Sequence, residues 1–202
     1  CLTLNYQNKR EQERQAALRA LEGVSPRELS SEQHLDRLAL RSLLLKECED
    51  YARGRHTLEP IAPDQLLNIL LHELQRGDDE PRRAARNLRS LLRQAPDFLD
   101  EAAPVVRRPE QVWLRVMQQT VAGGMALLEG VRQFLRVAAP EPGDEALIVA
   151  TVNAMQRYRT QVTQRRPAPP GSFAIGVAAL QRRVRDELGL ELLDCGASRA
   201  FA

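Results

Sequence analysis

The sequence predicts an all-α protein, an irregular bundle of about seven or eight helices joined by short Pro/Gly corners. Three observations carry that prediction. Apolar residues recur at three- and four-residue steps through most of the chain, which is the period of one helix face. Proline and glycine interrupt those runs where helices would end. No stretch alternates apolar and polar residues as a half-buried strand would, and aromatics make up only 4% of the chain, so Leu, Val and Ala must build the core.

The elements follow in order. Residues 1–30 read as an N-terminal arm, partly helical over Lys9–Leu21 and loosely attached, with Gly23 as a stop and Val24-Ser25-Pro26 as a turn. Ser30 with Gln33 three residues on is a capping box, and it opens a helix to about Tyr51 with Leu35, Leu38, Leu45, Cys48 and Ala52 inward. Gly54 closes it. Pro63 suits the first position of the next helix, which runs over Asp64–Arg76 and is apolar nearly all round (Leu66, Leu67, Ile69, Leu70, Leu71, Leu74), so burial on more than one side is expected.

The central stretch, Pro81–Leu135, reads as three helices. The first carries Ala84, Leu88, Leu91, Leu92 and Ala95 inward, with Arg82, Arg83, Arg86, Arg89 and Arg93 outward. Pro96 is expected to stop it and to start a short helix over Asp97–Val106. Pro109 opens the longest helix, whose Val112, Trp113, Val116, Met117, Val121, Leu128 and Leu135 place Trp113 in the main core. Gly123-Gly124 in its middle predicts either a kink or the close approach of another helix. Asp144 caps a further helix to about Gln164, and Arg165–Gly171 is a semi-rigid linker. Ser172 caps the last helix, with Phe173, Ile175, Ala179, Leu180 and Val184 inward, Gly189 as its stop and a fraying tail beyond.

Composition excludes several function classes. A net charge of +2, with acids interspersed among the 29 basic residues, argues against a nucleic-acid partner. No apolar run is long enough to span a membrane. Cys1, Cys48 and Cys195 make neither a disulfide framework nor a zinc knuckle, which fits a reducing compartment and a soluble, cytoplasmic protein. An N-terminal cysteine also allows the lipid anchor of a mature lipoprotein. Peptides or other proteins remain as partners, and the oligomeric state is left open.

One near-motif stands out. His72-Glu73-Leu74-Gln75-Arg76 matches HExxH of zinc peptidases in all but the last position, where a second histidine would ligate the metal. Arg76 is a fixed cation and cannot. His34 and His56 stand on other segments, at no helical spacing from His72. The sequence therefore offers no complete catalytic, cofactor-binding or metal site, and neither retained zinc nor peptide cleavage is expected of it.

The block NLRSLLRQAPDFLDEAAPVVRRPEQVWLRVMQQTVAGGMALLEG resembles the N-terminal part of the bacterial domain of unknown function 885 proteins, through Leu88, Leu92, Pro96, Leu99, Ala102 and Pro109. GSFAIGVAALQRRVRDELGLELLD, from Gly171 to Asp194, is similar to a later motif of the same family, and the likeness covers residues 31–194. The connector before Pro63 departs from the family's aromatic-rich pattern. The resemblance implies the helical fold of gluzincin, carboxypeptidase-like metallopeptidases. Their zinc ligands lie beyond the point matching Asp194, so zinc is implied only for a following part. It also implies that residues 31–202 are an N-terminal helical portion forming one wall of a peptide-binding cleft, inactive alone. The alternative reading is a self-sufficient helical protein–protein interaction module that binds a partner through an apolar groove.

Overall fold

A computed structural model describes residues 4–188. Among these the protein is all-α: α1 (Leu4–Glu22), α2 (Ser31–Ala52), α3 (Ala62–Gln75), α4 (Pro81–Ala102), α5 (Gln111–Ala138), α6 (Asp144–Thr163) and α7 (Val177–Leu188), with short 3-10 turns between several of them and no strand. The expected stop at Gly189 and the tail after it lie outside the described residues.

The chain divides into two compact units, Cys1–Tyr6 with His56–Ser172, and Gln7–Arg55 with Phe173–Ala202. In the first, α3, α4, α5 and α6 surround one apolar core. Leu70, Leu88, Leu92, Leu99, Leu128, Leu135, Ile148, Met155 and Tyr158 are all 0–1% exposed within it. Tyr158 ties α6 to the start of α3. Burial pushes its hydroxyl well above the ordinary tyrosine value, and a backbone hydrogen bond with Ala62 offsets only part of that.

Local chemistry set several boundaries as expected. Ser30 Oγ accepts from Gln33 N at 3.2 Å while Gln33 Oε1 accepts from Ser30 N at 2.9 Å, completing the capping box of α2. Pro81 opens α4, while α3 begins one residue before Pro63, at Ala62, so that Pro63 takes its second position, where an N–H is likewise without a partner inside the helix. Before α6 the cap is Gly143; Asp144 is the first helical residue, its carboxylate accepting from Glu141 N at 3.0 Å.

Pro96 does not stop a helix. It sits inside α4, which runs on to Ala102. A proline there removes the N–H that Leu92 O would accept. The Thr151 hydroxyl, fully buried on α6, lies 3.4 Å from Leu92 O while bonding Leu147 O at 2.9 Å. A neighbouring helix thus supplies polar contact where the backbone lost it, and burial of Ala95, Leu99 and Ala102 holds the remaining turns in place.

The apolar faces also differ from expectation. On α5 the buried line is Leu114, Met117, Val121, Gly124, Leu128, Val131 and Leu135. Val112 and Val116 are exposed and Trp113 is only half-buried, so Trp113 is not in the main core. The expected Met117, Val121, Leu128 and Leu135 are buried; the face differs only at the start of the helix, where Leu114 turns to the core and Val112 and Val116 to solvent. On α3, Leu66, Leu67 and Leu70 are buried but Ile69 and Leu71 face solvent, because neighbours cover two sides and not the third. On α2, Leu35 and Leu38 are exposed while Ser42 and Leu44 are buried. The last helix begins at Val177, after Gly176 at φ +78°, so Phe173 and Ile175 precede it and Phe173 is exposed.

Arg89, expected on the outer face of α4, is 2% exposed. Its Nε and Nη2 donate to the two carboxylate oxygens of Asp144 at 2.7 and 2.9 Å, and Nη2 also donates to Ala139 O. Nη1 lies 2.9 Å from Glu141 Oε1 without hydrogen-bond alignment. The hydrogen bond from Arg89 holds the Asp144 carboxyl below the usual carboxylate range against the opposing effect of burial, and the same bond raises the guanidinium above its ordinary value. This fork fixes the α5–α6 loop on α4.

The glycine pair behaves as two separate residues. A Cβ on Gly124 would meet Leu67 Cδ1 at 2.6 Å and Met155 Cε at 3.0 Å, whereas one on Gly123 would meet nothing within 4 Å. Gly124 permits the close approach of α3. Gly124→Ala is expected to cost about 1–3 kcal/mol by overpacking, while Gly123→Ala raises stability by up to about 1 kcal/mol through helix propensity. Thermal denaturation of the two variants checks this, and shifts of the same sign would contradict it.

Candidate functional site

The first unit carries one groove whose walls are apolar. Its floor is Met117, buried on α5, and its walls are Trp113 and Val116 on one side and Pro60 with Ile61 on the other. Glu59 and Asp64 stand at its rim and Thr120 at its far end. Ile61 is 43% exposed and Val116 44%, so the apolar surface is open to solvent.

Backbone pairing makes the groove rigid. Arg107 N and Arg108 N both donate to Thr57 O, at 3.0 and 3.2 Å, and Glu110 N donates to Leu58 O at 3.1 Å. The connector before α3 is thereby pinned to the corner before α5. Glu110 is buried and caps α5, its two carboxylate oxygens accepting from Val112 N and Gly171 N, each at 3.0 Å. Ala168 N donates to Pro109 O at 3.0 Å, and Arg165 donates to Val106 O, so the linker after α6 clasps the same corner.

The groove encloses about 180 Å³. Pockets for cofactors and drug-sized ligands run to about 300–1,000 Å³, so this one suits one or two side chains of a larger partner. Trp113 contributes a half-buried indole face beside two carboxylates. Its Nε1–H is buried without an acceptor, a state that costs about 1–3 kcal/mol.

A second depression of the first unit is polar and internally paired. It encloses about 310 Å³ and is lined by Glu73, Arg76, Glu80, Arg83 and Asn87. There Arg76 bonds Glu73 at 2.9 Å, Asn87 donates to the other Glu73 oxygen at 2.9 Å, and Arg83 bonds Glu80 at 3.0 Å. The glutamate of the near-motif is therefore held by Arg76, the residue standing where a ligand would. His72 is exposed on α3, His34 is half-buried on α2 and His56 lies in the turn Arg55–Thr57. Among the described residues no three metal-ligating side chains gather. Cys48 keeps its proton: burial, followed by the Glu11 carboxylate, pushes its thiol above the ordinary value, which weakens it as a nucleophile. Cys1 and Cys195 lie outside the described residues. No described helix is long and apolar enough to cross a membrane.

Neither a protein-family model, a curated protein nor a solved structure matches the chain. The groove was not singled out from the sequence. The signal available was the surplus of apolar residues at the start of α5, where Val112, Trp113, Leu114, Val116 and Met117 are too many for one buried face.

Proposed function

We propose that this chain is a non-catalytic helical binding module, and that the Trp113 groove receives a peptide segment of a partner protein. The segment places an aliphatic side chain between Ile61 and Val116 and a cationic side chain against Trp113, Glu59 and Asp64. The observation that carries this reading is the open apolar groove itself, held by paired backbone and rimmed by two acids. Apolar contact supplies affinity, and the acids select charge. A cation over the indole face adds about 0.5–2 kcal/mol.

The resemblance to the domain of unknown function 885 proteins gives the same groove a narrower setting, one wall of a peptidase-like cleft whose zinc chemistry lies in another part. Reading the coding DNA past Ala202 for an in-frame HExxH tests that version. Stoichiometric zinc retained after dialysis, with peptide cleavage abolished by His72→Ala, would overturn the non-catalytic reading altogether.

Trp113 is the sole tryptophan, so its fluorescence reports on the groove directly. Titration with positional-scanning hexapeptide pools is expected to give a saturable blue shift for pools pairing Leu, Ile or Met with Arg or Lys. Ile61→Asp should weaken the selected peptides at least tenfold without lowering the melting temperature, and Asp64→Lys should reverse the charge preference. Pools that leave the emission unchanged to millimolar concentration, or equal binding by Ile61→Asp, would refute the proposal.

A further inference from the structure

In the second unit α7 is held on α2 mainly by charge. Among its described apolar side chains only Ala179 is buried; Leu180 is 49% exposed, Val177 73%, and Val184 is half-buried. The polar contacts are better made. Arg183 Nε lies 3.2 Å from Glu49 Oε2 and its Nη2 donates to Asp50, while Arg182 Nη2 lies 3.2 Å from Glu49 Oε1. Arg53 donates to Glu49 at 2.9 Å and to Ile175 O, just ahead of α7, also at 2.9 Å. Burial would raise the Glu49 carboxyl, yet the bonds from Arg183, Arg53 and Arg182 bring it below its ordinary value.

The fit around that network is loose. About 310 Å³ stays open between the two helices, lined by Ser42, Leu45 and Lys46 on α2 and by Arg182 and Asp186 on α7. Ser42 is 8% exposed and its hydroxyl has no hydrogen-bond partner, so closing this wall carries a desolvation cost. The chain enters α7 through Gly171 and Gly176, each at φ +78°, and a Cβ on either would meet nothing within 4 Å. The opposite side of α2 is tied to α1 and does not depend on α7. There Arg14 bonds Glu47 at 2.5 Å, Arg37 donates to Leu21 O at 3.3 Å and Tyr51 donates to Asn8.

We propose that α7 is an ionic strap: it closes over the C-terminal half of α2 through Glu49, Asp50, Arg182 and Arg183, and lifts off when those charges are screened. A helix of 12 residues is marginal alone in water, so α7 melts as it lifts. Partly exposed ion pairs are weak and fade with added salt. An apolar contact behaves oppositely, since salt leaves it intact or tightens it. Lifted, the strap lays bare Leu45, which stands two turns beyond Leu38 on one face of α2, and Leu38 is already 44% exposed. Access to that face is set by the ionic surroundings, independently of the Trp113 groove.

Hydrogen exchange of the full chain, followed by mass spectrometry, reads the opening directly, because protected amides exchange through it. Between about 0.1 and 1 M NaCl the Debye length falls from about 10 to about 3 Å. Exchange of α7 is expected to quicken about fivefold over that range, as weak exposed pairs are screened, while α2, α5 and α6 keep their rates. Arg183→Gln removes the bonds to both acids. It should quicken α7 about tenfold at low salt and remove most of the salt dependence, again with α2 unchanged. Arg183→Lys keeps the charge and should fall between the two. Four results would each overturn the inference: α7 exchange that salt leaves unchanged or slows, an α7 without protection at 0.1 M, an Arg183→Gln protein that matches the parent, or α7 and α2 quickening together. The last counts because a strap must lift alone.

Discussion

Arg89→Ala is expected to lower the stability of the first unit by about 3–5 kcal/mol, because it leaves a carboxylate held in place without its counter-charge. The guanidinium side chain is 3% exposed and the Asp144 side chain 17%, so solvent cannot replace the lost partner. Lysine does not substitute, since a single ammonium cannot make the two parallel bonds to Asp144. Asp144→Asn should be destabilising in the same way, with a pH signature. The Asp144 carboxyl lies below its ordinary value of 3.8 when folded. A depressed carboxyl stabilises fully above the unfolded value and loses that contribution as pH falls through the folded one. The stability gap between parent and Asp144→Asn should therefore be constant from pH 6 to 8 and close at acid pH below about 4. Urea denaturation across that range measures it. A gap that persisted at pH 2 would show that Asp144 acts through packing. A double replacement, Arg89→Met with Asp144→Leu, should cost less than the sum of Arg89→Met and Asp144→Leu, since neither charge is then left alone.

Leu128→Ala should cost about 2–5 kcal/mol, and Trp113→Ala only about 1–2 kcal/mol, in spite of the larger side chain it removes. Leu128 is 1% exposed in the middle of α5 among α3 and α6. Trp113 borders the groove and its removal leaves a surface notch rather than a cavity. Thermal or denaturant unfolding ranks the two directly. A larger loss for Trp113→Ala would mean that the indole, and not the line through Leu114, Met117 and Leu128, is the centre of the packing. Peptide binding should follow the opposite order, abolished by Trp113→Ala and kept by a Leu128→Ala protein below its melting temperature.

The sequence by itself determined the helical class and most helix beginnings, because these rest on short-range chemistry. The capping box at Ser30 and Gln33, and the prolines at positions 63 and 81, act within a turn or two of chain and need no distant partner. What only the tertiary structure decided is which face of each helix is inside. On α5 the expected Met117, Val121, Leu128 and Leu135 are inside, but at its start Leu114 is buried while Val112 and Val116 are not, a choice made by the helices that pack on the Gly124 face through Leu67 and Met155. Pro96 looked like a stop because local chemistry counts only its missing N–H. Burial of the following turn and the Thr151 hydroxyl near Leu92 O, contributed from 59 residues away, allow α4 to continue. Arg89 looked like an outer residue for the same reason: its partners Asp144 and Ala139 stand 55 and 50 residues away. The groove is likewise a meeting of Pro60 and Ile61 with Trp113 and Val116, distant in sequence. A face, a buried charge and a groove are each defined by what another segment brings to them, and periodicity within one helix carries no record of that segment.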